Sequence, residues 1–317
     1  MNEFPPMPYG SKRKRKEDLS FGKPFEPSYV YSLVSLLNST HIEGCLEDAE
    51  DVLNFLLCGL HEELGAVINA FRNTAKENSN VCEAILTNGH VTEDQEHDPN
   101  TKSNVIKSSH SFHSPISDIF GGQITSTMTV GNETSTSSHH FFTLTVDIQA
   151  EDVCQVNDAL AYITPKELAH DFTPTDSKGG VEAFHKVVLK VLPLVLVLHI
   201  KRFVKEKGAK PRKVFNDIEF SIDLEIPEEF LSQDIRRKYS PRALRSYKLF
   251  AVVCHEGKDL ATGHYITDVY HVGSSSWLRC DDSTITVITE SNLLSHCPQR
   301  VPYLLFYRRL DTLYPSK

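Results

Sequence analysis

Two features that define common protein classes are missing from this 317-residue chain, paired cysteines and long apolar runs. The seven cysteines are scattered and none forms a C-x-x-C pair, so we expect no structural zinc site and no other metal. The longest apolar run, residues 187–200, is interrupted by polar residues and is shorter than the roughly 20 apolar residues that cross a bilayer. The N-terminus has no apolar segment behind a basic start, so we expect no secretory signal, a reducing, cytoplasmic location and no disulfides.

An excess of basic residues is missing as well. The formal net charge is −9, which disfavours binding to nucleic acid. One compact basic cluster, Lys12–Lys16, lies in a polar tail at residues 1–24. The cluster is typical either of a nuclear import signal or of a solvated tail, so a nuclear location stays open beside the cytoplasmic one.

The clearest helical pattern runs from Glu47 to about Phe71. Apolar residues recur there at three- and four-residue steps, which predicts one buried face: Ala49, Leu53, Leu56, Leu60, Leu64, Val67 and Phe71. Acidic residues crowd the first turn, where the positive end of the helix dipole stabilises them. Shorter helices are predicted at 29–37, with Ser28 as the cap, and at 152–163.

Polar residues dominate the segment 73–114, which predicts a disordered insertion. Strand-like residues follow over about 118–150, with a polar run at 131–140 between two strand candidates. In the second candidate, Phe142 to Ile148, apolar and polar residues alternate as in a strand with one buried face. This region is predicted to form a hairpin-like projection.

The C-terminal half is predicted to be mainly sheet. Leu194–Leu198 is apolar on both faces, which favours a central strand. Strands are predicted at 181–203 (two strands and a turn), 247–255, 264–272, 276–279 and 301–308. Because the helices come early and the strands late, the layers favour an α+β fold over an alternating parallel one.

Two of the predicted strands carry a histidine and carboxylates. His264 follows Gly263, and Asp281 and Asp282 come shortly after the next predicted strand, 276–279. A thiol hydrolase needs a nucleophile, an imidazole to take its proton, and a polar group that orients the imidazole. The last two groups are present here; the alternative is an ordinary strand histidine beside a turn.

Taken together, these motifs resemble the ubiquitin-specific proteases. The resemblance rests on LPLVLVLHIKRF at 192–203, on Gly263-His264-Tyr265, and on Trp277 ahead of Asp281-Asp282. It extends over about 25–312 and implies a papain-like α+β fold with a helical thumb, a β-rich palm and β-strand fingers at about 118–150. It also implies a thiol isopeptidase that cleaves Gly–Lys bonds of ubiquitin or ubiquitinated proteins, acts as a monomer and needs no cofactor.

The resemblance also assigns roles to individual residues. It makes His264 the general base and Asp281 the residue that orients it. Asp48, Tyr265 and Asp282 would contact the substrate, with Asp48 facing the arginine-bearing tail of ubiquitin. Leu46 replaces the glutamine usual in the family two positions before Asp48, and helix capping remains the alternative for this carboxylate.

The family's cysteine box, Asn-x-Cys-aromatic-x-Asn, does not occur in this sequence. Cys254 lies in a predicted strand and Cys280 adjoins Asp281, whereas a reactive thiolate usually has a helix N-terminus or a cation nearby. We therefore expect a catalytic domain truncated before its nucleophile and inactive by itself. A ubiquitin-binding scaffold without catalysis and a chain that does not fold stably are the alternatives.

Overall fold

The computed structural model describes residues 28, 32, 47–78, 113–130, 133–163, 183–204, 212–258 and 263–313, without side chains for 72–78 and 183–185. The predicted tail at 1–24, most of the predicted helix at 29–37 and residues 79–112 of the predicted insertion lie outside this part. Ser32 is helical, as predicted, whereas Ser28, the predicted cap, is itself helical.

Within the described residues, the α-helices are α1 (Ala49–Asn78), α2 (Pro115–Phe120), α3 (Val156–Ala161) and α4 (Glu290–Leu294). The strands are β1 (Gly122–Val130), β2 (Glu133–Phe141), β3 (Thr143–Val146), β4 (Ala183–Val191), β5 (Val195–Ile200), β6 (Phe203–Val204), β7 (Arg212–Lys213), β8 (Asp223–Glu225), β9 (Ser246–Glu256), β10 (His264–His271), β11 (Ser276–Asp281), β12 (Thr284–Ile288) and β13 (Arg300–Arg309). Short 3-10 turns span Glu228–Phe230, Arg242–Leu244 and Leu310–Thr312.

An eight-stranded sheet forms the centre of the described fold. Its order is β12-β11-β10-β9-β13-β5-β3, and β8 pairs with β9. Only the pair β3–β5 is parallel among these strands. Strand β5 lies inside the sheet with Leu196, Val197 and Leu198 buried, which confirms the predicted central strand. The mixture of helices with a mainly antiparallel sheet confirms the α+β prediction.

A second sheet of three strands has the order β2-β1-β4. The polar run at 131–140, predicted to separate two strands, is itself largely strand β2, so that prediction is wrong. Cross-strand hydroxyl pairs line the β1–β2 hairpin, for example Thr125 with Ser138 at 3.2 Å between the Oγ atoms. Such pairs stabilise a hairpin without burial, so the apolar alternation that identifies a strand is missing from β2.

Helix α1 packs against the rest of the fold with a different face from the one that its apolar pattern predicts to be buried. Glu50 is only 2% exposed, and its Oε1 accepts hydrogen bonds from Asn54 and from the Thr143 hydroxyl, the latter at 2.6 Å. By contrast, Val67 is 51% and Phe71 73% exposed. A buried carboxylate must keep its hydrogen-bond partners, so the polar contacts to β3 set the rotation of the helix.

The length of α1 also differs from the prediction. The helix continues to Asn78, so the beginning of the segment predicted as a disordered insertion is helical. Among the described helices, none combines the length with the apolar character that crossing a membrane requires.

Candidate active site

His264 and Asp281 meet where two neighbouring strands of the large sheet begin and end. Strand β10 begins at His264 and β11 ends at Asp281, and their antiparallel register pairs Thr267 with Cys280. The His264 Nε2 atom lies 2.7 Å from Asp281 Oδ1. A carboxylate can only accept, so Nε2 donates the proton of this bond. The Nδ1 atom is then the nitrogen of His264 that remains available to a reacting group.

The electrostatics of this pair favour the protonated imidazole. The hydrogen bond to Asp281 is the largest effect and raises the pKa of His264 above its usual 6.5, with further help from Asp282 and Glu256. The side chains of His264 and Asp281 are 40% and 46% exposed. The pair can therefore accept a proton while it remains open to a large substrate.

Asp282 lies at the turn between β11 and β12, next to this pair. Its φ of 47° is in the left-handed region, which aspartate tolerates better than most residues. Ligand atoms of His264, Asp281 and Asp282 lie within 4.8 Å of one another. A cation bound at Nε2 would have to displace the hydrogen bond to Asp281, so the observed pairing and a cation at that nitrogen exclude each other.

Asp48 caps helix α1 and binds a buried tyrosine. Its Oδ1 accepts from the Glu50 amide at 2.8 Å, as an N-cap does. The Tyr303 hydroxyl lies 2.7 and 2.6 Å from the two carboxylate oxygens. The alternative of helix capping is thus realised, and an arginine bound to Asp48 would share its oxygens with Tyr303.

Tyr265 lies between Asp48 and the strand that carries His264. Its hydroxyl accepts a long hydrogen bond, 3.4 Å, from the Ala49 amide at the start of α1. Burial, and then the nearby Asp48 carboxylate, raise the pKa of Tyr265 above its usual value. Tyr265 therefore remains protonated and joins the helix N-terminus to β10.

Five rings form an aromatic cluster under this region: His199, Phe203, His255, Tyr265 and Tyr303. Their closest centroids are 4.9 to 5.9 Å apart, and most pairs meet edge to face. Burial lowers the pKa of His199 to about 4, so this ring is neutral. The cluster holds α1 and β10 in one arrangement across strands that are distant in the sequence.

Tyr303 was missed as a site residue by sequence reasoning. We expect Tyr303→Phe to destabilise the chain by about 1–3 kcal/mol, because the Asp48 carboxylate loses its buried phenol donor. Urea unfolding would measure the change. The exposed Tyr270 supplies a matched control, and Tyr270→Phe should change stability by less than about 0.5 kcal/mol. Equal losses of stability in the two variants would contradict a stabilising role of the hydrogen bond from Tyr303 to Asp48.

Burial raises the pKa of three described thiols, Cys58, Cys254 and Cys280. Cys280 points away from Asp281, since successive strand residues face opposite sides, and burial raises its pKa. Burial raises the pKa of Cys254 to about 12. Burial also raises the pKa of Cys58. Cys45 and Cys82 lie outside the described residues.

Comparison with known proteins identifies relatives over most of the chain. The family model "Ubiquitin carboxyl-terminal hydrolase" matches residues 13–307. Ubiquitin carboxyl-terminal hydrolase 10-A of Xenopus laevis is 38% identical over 99% of this chain, and hydrolase 10 of Rattus norvegicus is 37% identical over 99%. Each match covers 42% of the relative, so the chain spans less than half of their length. The motifs at 120–122, 250–253 and 263–269 predict similarity to hydrolase 10, which these matches confirm.

A solved structure with a related fold is that of the SAGA Ubp8/Sgf11/Sus1/Sgf73 DUB module bound to ubiquitin aldehyde. It is 25% identical with a TM-score of 0.51, and the match covers 65% of this chain and 44% of that one. A second structure of this module, with a substituted Ubp8, is 21% identical with a TM-score of 0.53. That match covers 83% of this chain and 48% of the other, and it shows a shared fold.

Proposed function

Because the chain belongs to the ubiquitin carboxyl-terminal hydrolase family, we propose that it is the part of a deubiquitinating thiol isopeptidase domain that carries the general base. The observation that supports this most is the 2.7 Å hydrogen bond from His264 Nε2 to Asp281, which leaves Nδ1 available. A base held in one tautomer by a carboxylate is what a thiol hydrolase requires.

In the proposed reaction, His264 Nδ1 takes the proton of a cysteine thiol. The thiolate attacks the carbonyl carbon of the Gly–Lys isopeptide bond, and His264 returns the proton to the departing lysine amine. Water then attacks the resulting thioester, with His264 again accepting a proton, and releases the glycine carboxylate and the thiol. Asp281 keeps the ring oriented and stabilises its protonated form throughout, which agrees with the raised pKa of His264.

The proposed nucleophile is a cysteine in a segment outside this sequence. Asn80-Val81-Cys82 is the only stretch with asparagine two positions before a cysteine, but Glu83 stands where the family has an aromatic residue. Burial raises the pKa of the Cys58, Cys254 and Cys280 thiols, which disfavours each of them as a substitute nucleophile. The exposed apolar side chains of α1, including Val67 and Phe71, would suit packing against such a segment.

The proposed partner is ubiquitin or a ubiquitinated protein, and the proposed contacts are Asp48, Tyr265 and Asp282. A ubiquitin-aldehyde complex is known for the related Ubp8 module. We further propose that residues 25–312 form the catalytic part, acting as a monomer in the cytoplasm or the nucleus. A ubiquitin-binding scaffold without catalysis is the second candidate, favoured by the raised pKa of the Cys254 and Cys280 thiols.

The pair of His264 and Asp281, called the dyad from here on, can be tested in this chain without an added segment. NMR would follow the signals of the His264 ring as a function of pH. We expect a pKa above 6.5 and a clear fall in Asp281→Asn, since the neutral amide no longer favours the imidazolium. His264→Ala assigns the signal. Asp282→Asn is the matched control, removing the same charge without the hydrogen bond, and should lower the pKa less. A pKa that ignores Asp281→Asn would refute the proposed pairing.

Ubiquitin binding is expected for both candidate functions, the isopeptidase part and the scaffold. A chain with neither function should not bind ubiquitin. Titration with ubiquitin should perturb the signals of the residues around His264, and Asp48→Asn and Tyr265→Phe should weaken the binding. Saturable binding elsewhere on the chain, with no effect of these substitutions, would contradict the proposed contacts. Binding at these residues with no cleavage by a chain completed with a cysteine would favour the scaffold.

A further inference from the structure

We propose that Lys213 is a positioning residue for His264, acting through His255 and Gly263. The inference rests on the proposed role of His264 as general base. Lys213 is the last residue of strand β7, which is far from β10 in the sequence. Among the described residues, its hydrogen bonds go to His255 and Gly257 and not to His264 or Asp281. Its effect must therefore pass through the residues between them.

The first step is the contact of the Lys213 ammonium with His255. Lys213 is buried, and its Nζ lies 2.7 Å from His255 Nδ1, 3.2 Å from the His255 carbonyl oxygen and 2.7 Å from the Gly257 carbonyl oxygen. An ammonium has three protons and no lone pair, so these contacts use all three. His255 Nδ1 must accept, which puts the ring proton of the neutral imidazole on Nε2.

The second step is the contact of His255 with Gly263. The His255 ring is fully buried and packs edge-on against Tyr265 and Phe203, with centroids 5.0 and 5.3 Å away. A Cβ atom added at Gly263 would lie 2.1 Å from His255 Nε2 and 2.8 Å from the Glu256 carbonyl oxygen. Only glycine fits at this distance, so the ring position limits where the backbone before His264 can run.

The third step is the strand end itself. His264 directly follows Gly263 and pairs with Glu256 across β9 and β10. Gly257, with φ of 115°, turns the chain out of β9, and its carbonyl oxygen accepts a hydrogen bond from Lys213 Nζ. Lys213 thus holds the end of β9 directly, through its hydrogen bonds to the His255 and Gly257 carbonyl oxygens. It holds the start of β10 indirectly, through the His255 ring that packs against Gly263. A displacement there would change the 2.7 Å distance between His264 and Asp281.

The charges around Lys213 make its burial costly. Burial, followed by the nearby Arg202 cation, lowers the pKa of Lys213 to about 8, and Glu256 opposes this. The hydrogen-bond acceptors named above are neutral, and a buried cation without a paired carboxylate is rarely the most stable choice for a core. This cost favours a role in positioning over one in stability alone.

The direction of the change in the His264 pKa separates positioning from a simple charge effect. Removing a cation near His264 would raise its pKa, because the imidazolium would meet less repulsion. Loss of positioning would lengthen the bond to Asp281 and lower the pKa towards 6.5. Asp281, Asp282 and Glu256 face His264 and are unchanged in this test.

The experiment is NMR titration of His264 in the full chain carrying Lys213→Met. We expect the pKa to fall by about 0.5 or more, roughly a threefold change in proton affinity. Asp281→Asn should then lower the pKa less in the Lys213→Met background than in the unchanged chain. Lys213→Arg, which keeps a cationic donor, should restore part of the shift. Lys248→Met, an exposed lysine on β9, is the control and should leave the pKa unchanged.

An unchanged or raised pKa in folded Lys213→Met would overturn the inference. If that variant does not melt cooperatively, Gly263→Ala tests the same path with Lys213 intact, because the added methyl group must push against His255. It should also lower the pKa of His264, and an unchanged value would overturn the inference equally. If Asp281→Asn leaves the pKa of His264 unchanged in a chain with Lys213 intact, the proposed dyad is refuted instead.

Discussion

A fluorogenic ubiquitin amide is expected to stay intact with this chain alone and to be cleaved once a cysteine-bearing segment of a longer relative is joined to its N-terminus. Loss of the nucleophile from such a triad typically costs about 10⁶ in turnover, so no useful rate should remain without it. The segment can be taken from the Xenopus laevis hydrolase 10-A, of which the match to this chain covers 42%. The measurement is the release of the fluorophore over time.

Substitutions in the fusion show whether this chain supplies the base. His264→Ala should reduce kcat/KM by about 10³ or more, and replacement of the added cysteine by alanine should do the same. Asp223→Asn, at an exposed residue of β8 that is not among the proposed contacts, is the matched control and should leave kcat/KM unchanged. If the fusion binds ubiquitin and melts cooperatively but does not cleave the substrate, the isopeptidase proposal is wrong and the scaffold is favoured.

The unmodified chain needs its own controls. Cleavage by this chain alone that disappears in both His264→Ala and one cysteine variant would identify an unorthodox nucleophile. Cys280→Ala and Cys82→Ala are the variants to test first. Cys280 adjoins Asp281, and Cys82 has asparagine two positions before it. That result would overturn the proposal that the nucleophile lies outside this sequence.

Arg202→Met is expected to destabilise the chain by about 3–5 kcal/mol, because three buried carbonyl oxygens lose their donor at about 1–3 kcal/mol each. The guanidinium is fully buried and donates to the carbonyl oxygens of Pro302, Val214 and Asn216. Burial lowers the pKa of Arg202 only to about 10, so it is still charged at neutral pH. Methionine fills much of the space but gives these carbonyl groups no donor.

Urea unfolding would measure this loss against a matched variant. Arg237 is exposed, so Arg237→Met makes the same chemical change and should alter stability by less than about 0.5 kcal/mol. Arg202→Lys keeps a cation but loses the planar arrangement of donors, and should lie between the two. Similar stabilities for Arg202→Met and the unsubstituted chain would mean that the buried contacts contribute little.

Much of the large sheet could be predicted because its strands alternate or are continuously apolar. The predicted strand at 247–255 is β9 to within one residue at each end, and the predicted strand at 264–272 is β10 to within one. Strand β2 could not be predicted in this way, because hydroxyl pairs rather than burial stabilise it. Strand β12, an exposed edge strand, was also missed.

Helix α1 shows the limit of periodicity. The apolar spacing predicts a helix, which the structure contains, but the side chains with the deepest burial include Glu50 rather than Phe71. Periodicity reports which side of a helix is apolar. It does not report which side faces a particular neighbour, and here hydrogen bonds from Asn54 and Thr143 to one carboxylate decide the orientation.

By itself, the sequence determined the family and the α+β class, and it singled out His264 and Asp281, which the structure joins by a hydrogen bond, because these depend on short motifs and on local periodicity. Only the tertiary structure decided that Tyr303 holds Asp48 and that Lys213 reaches Gly263 through His255. These contacts join strands that are separated by many residues. Their geometry depends on how the sheet pairs and twists, which no local pattern in the sequence encodes.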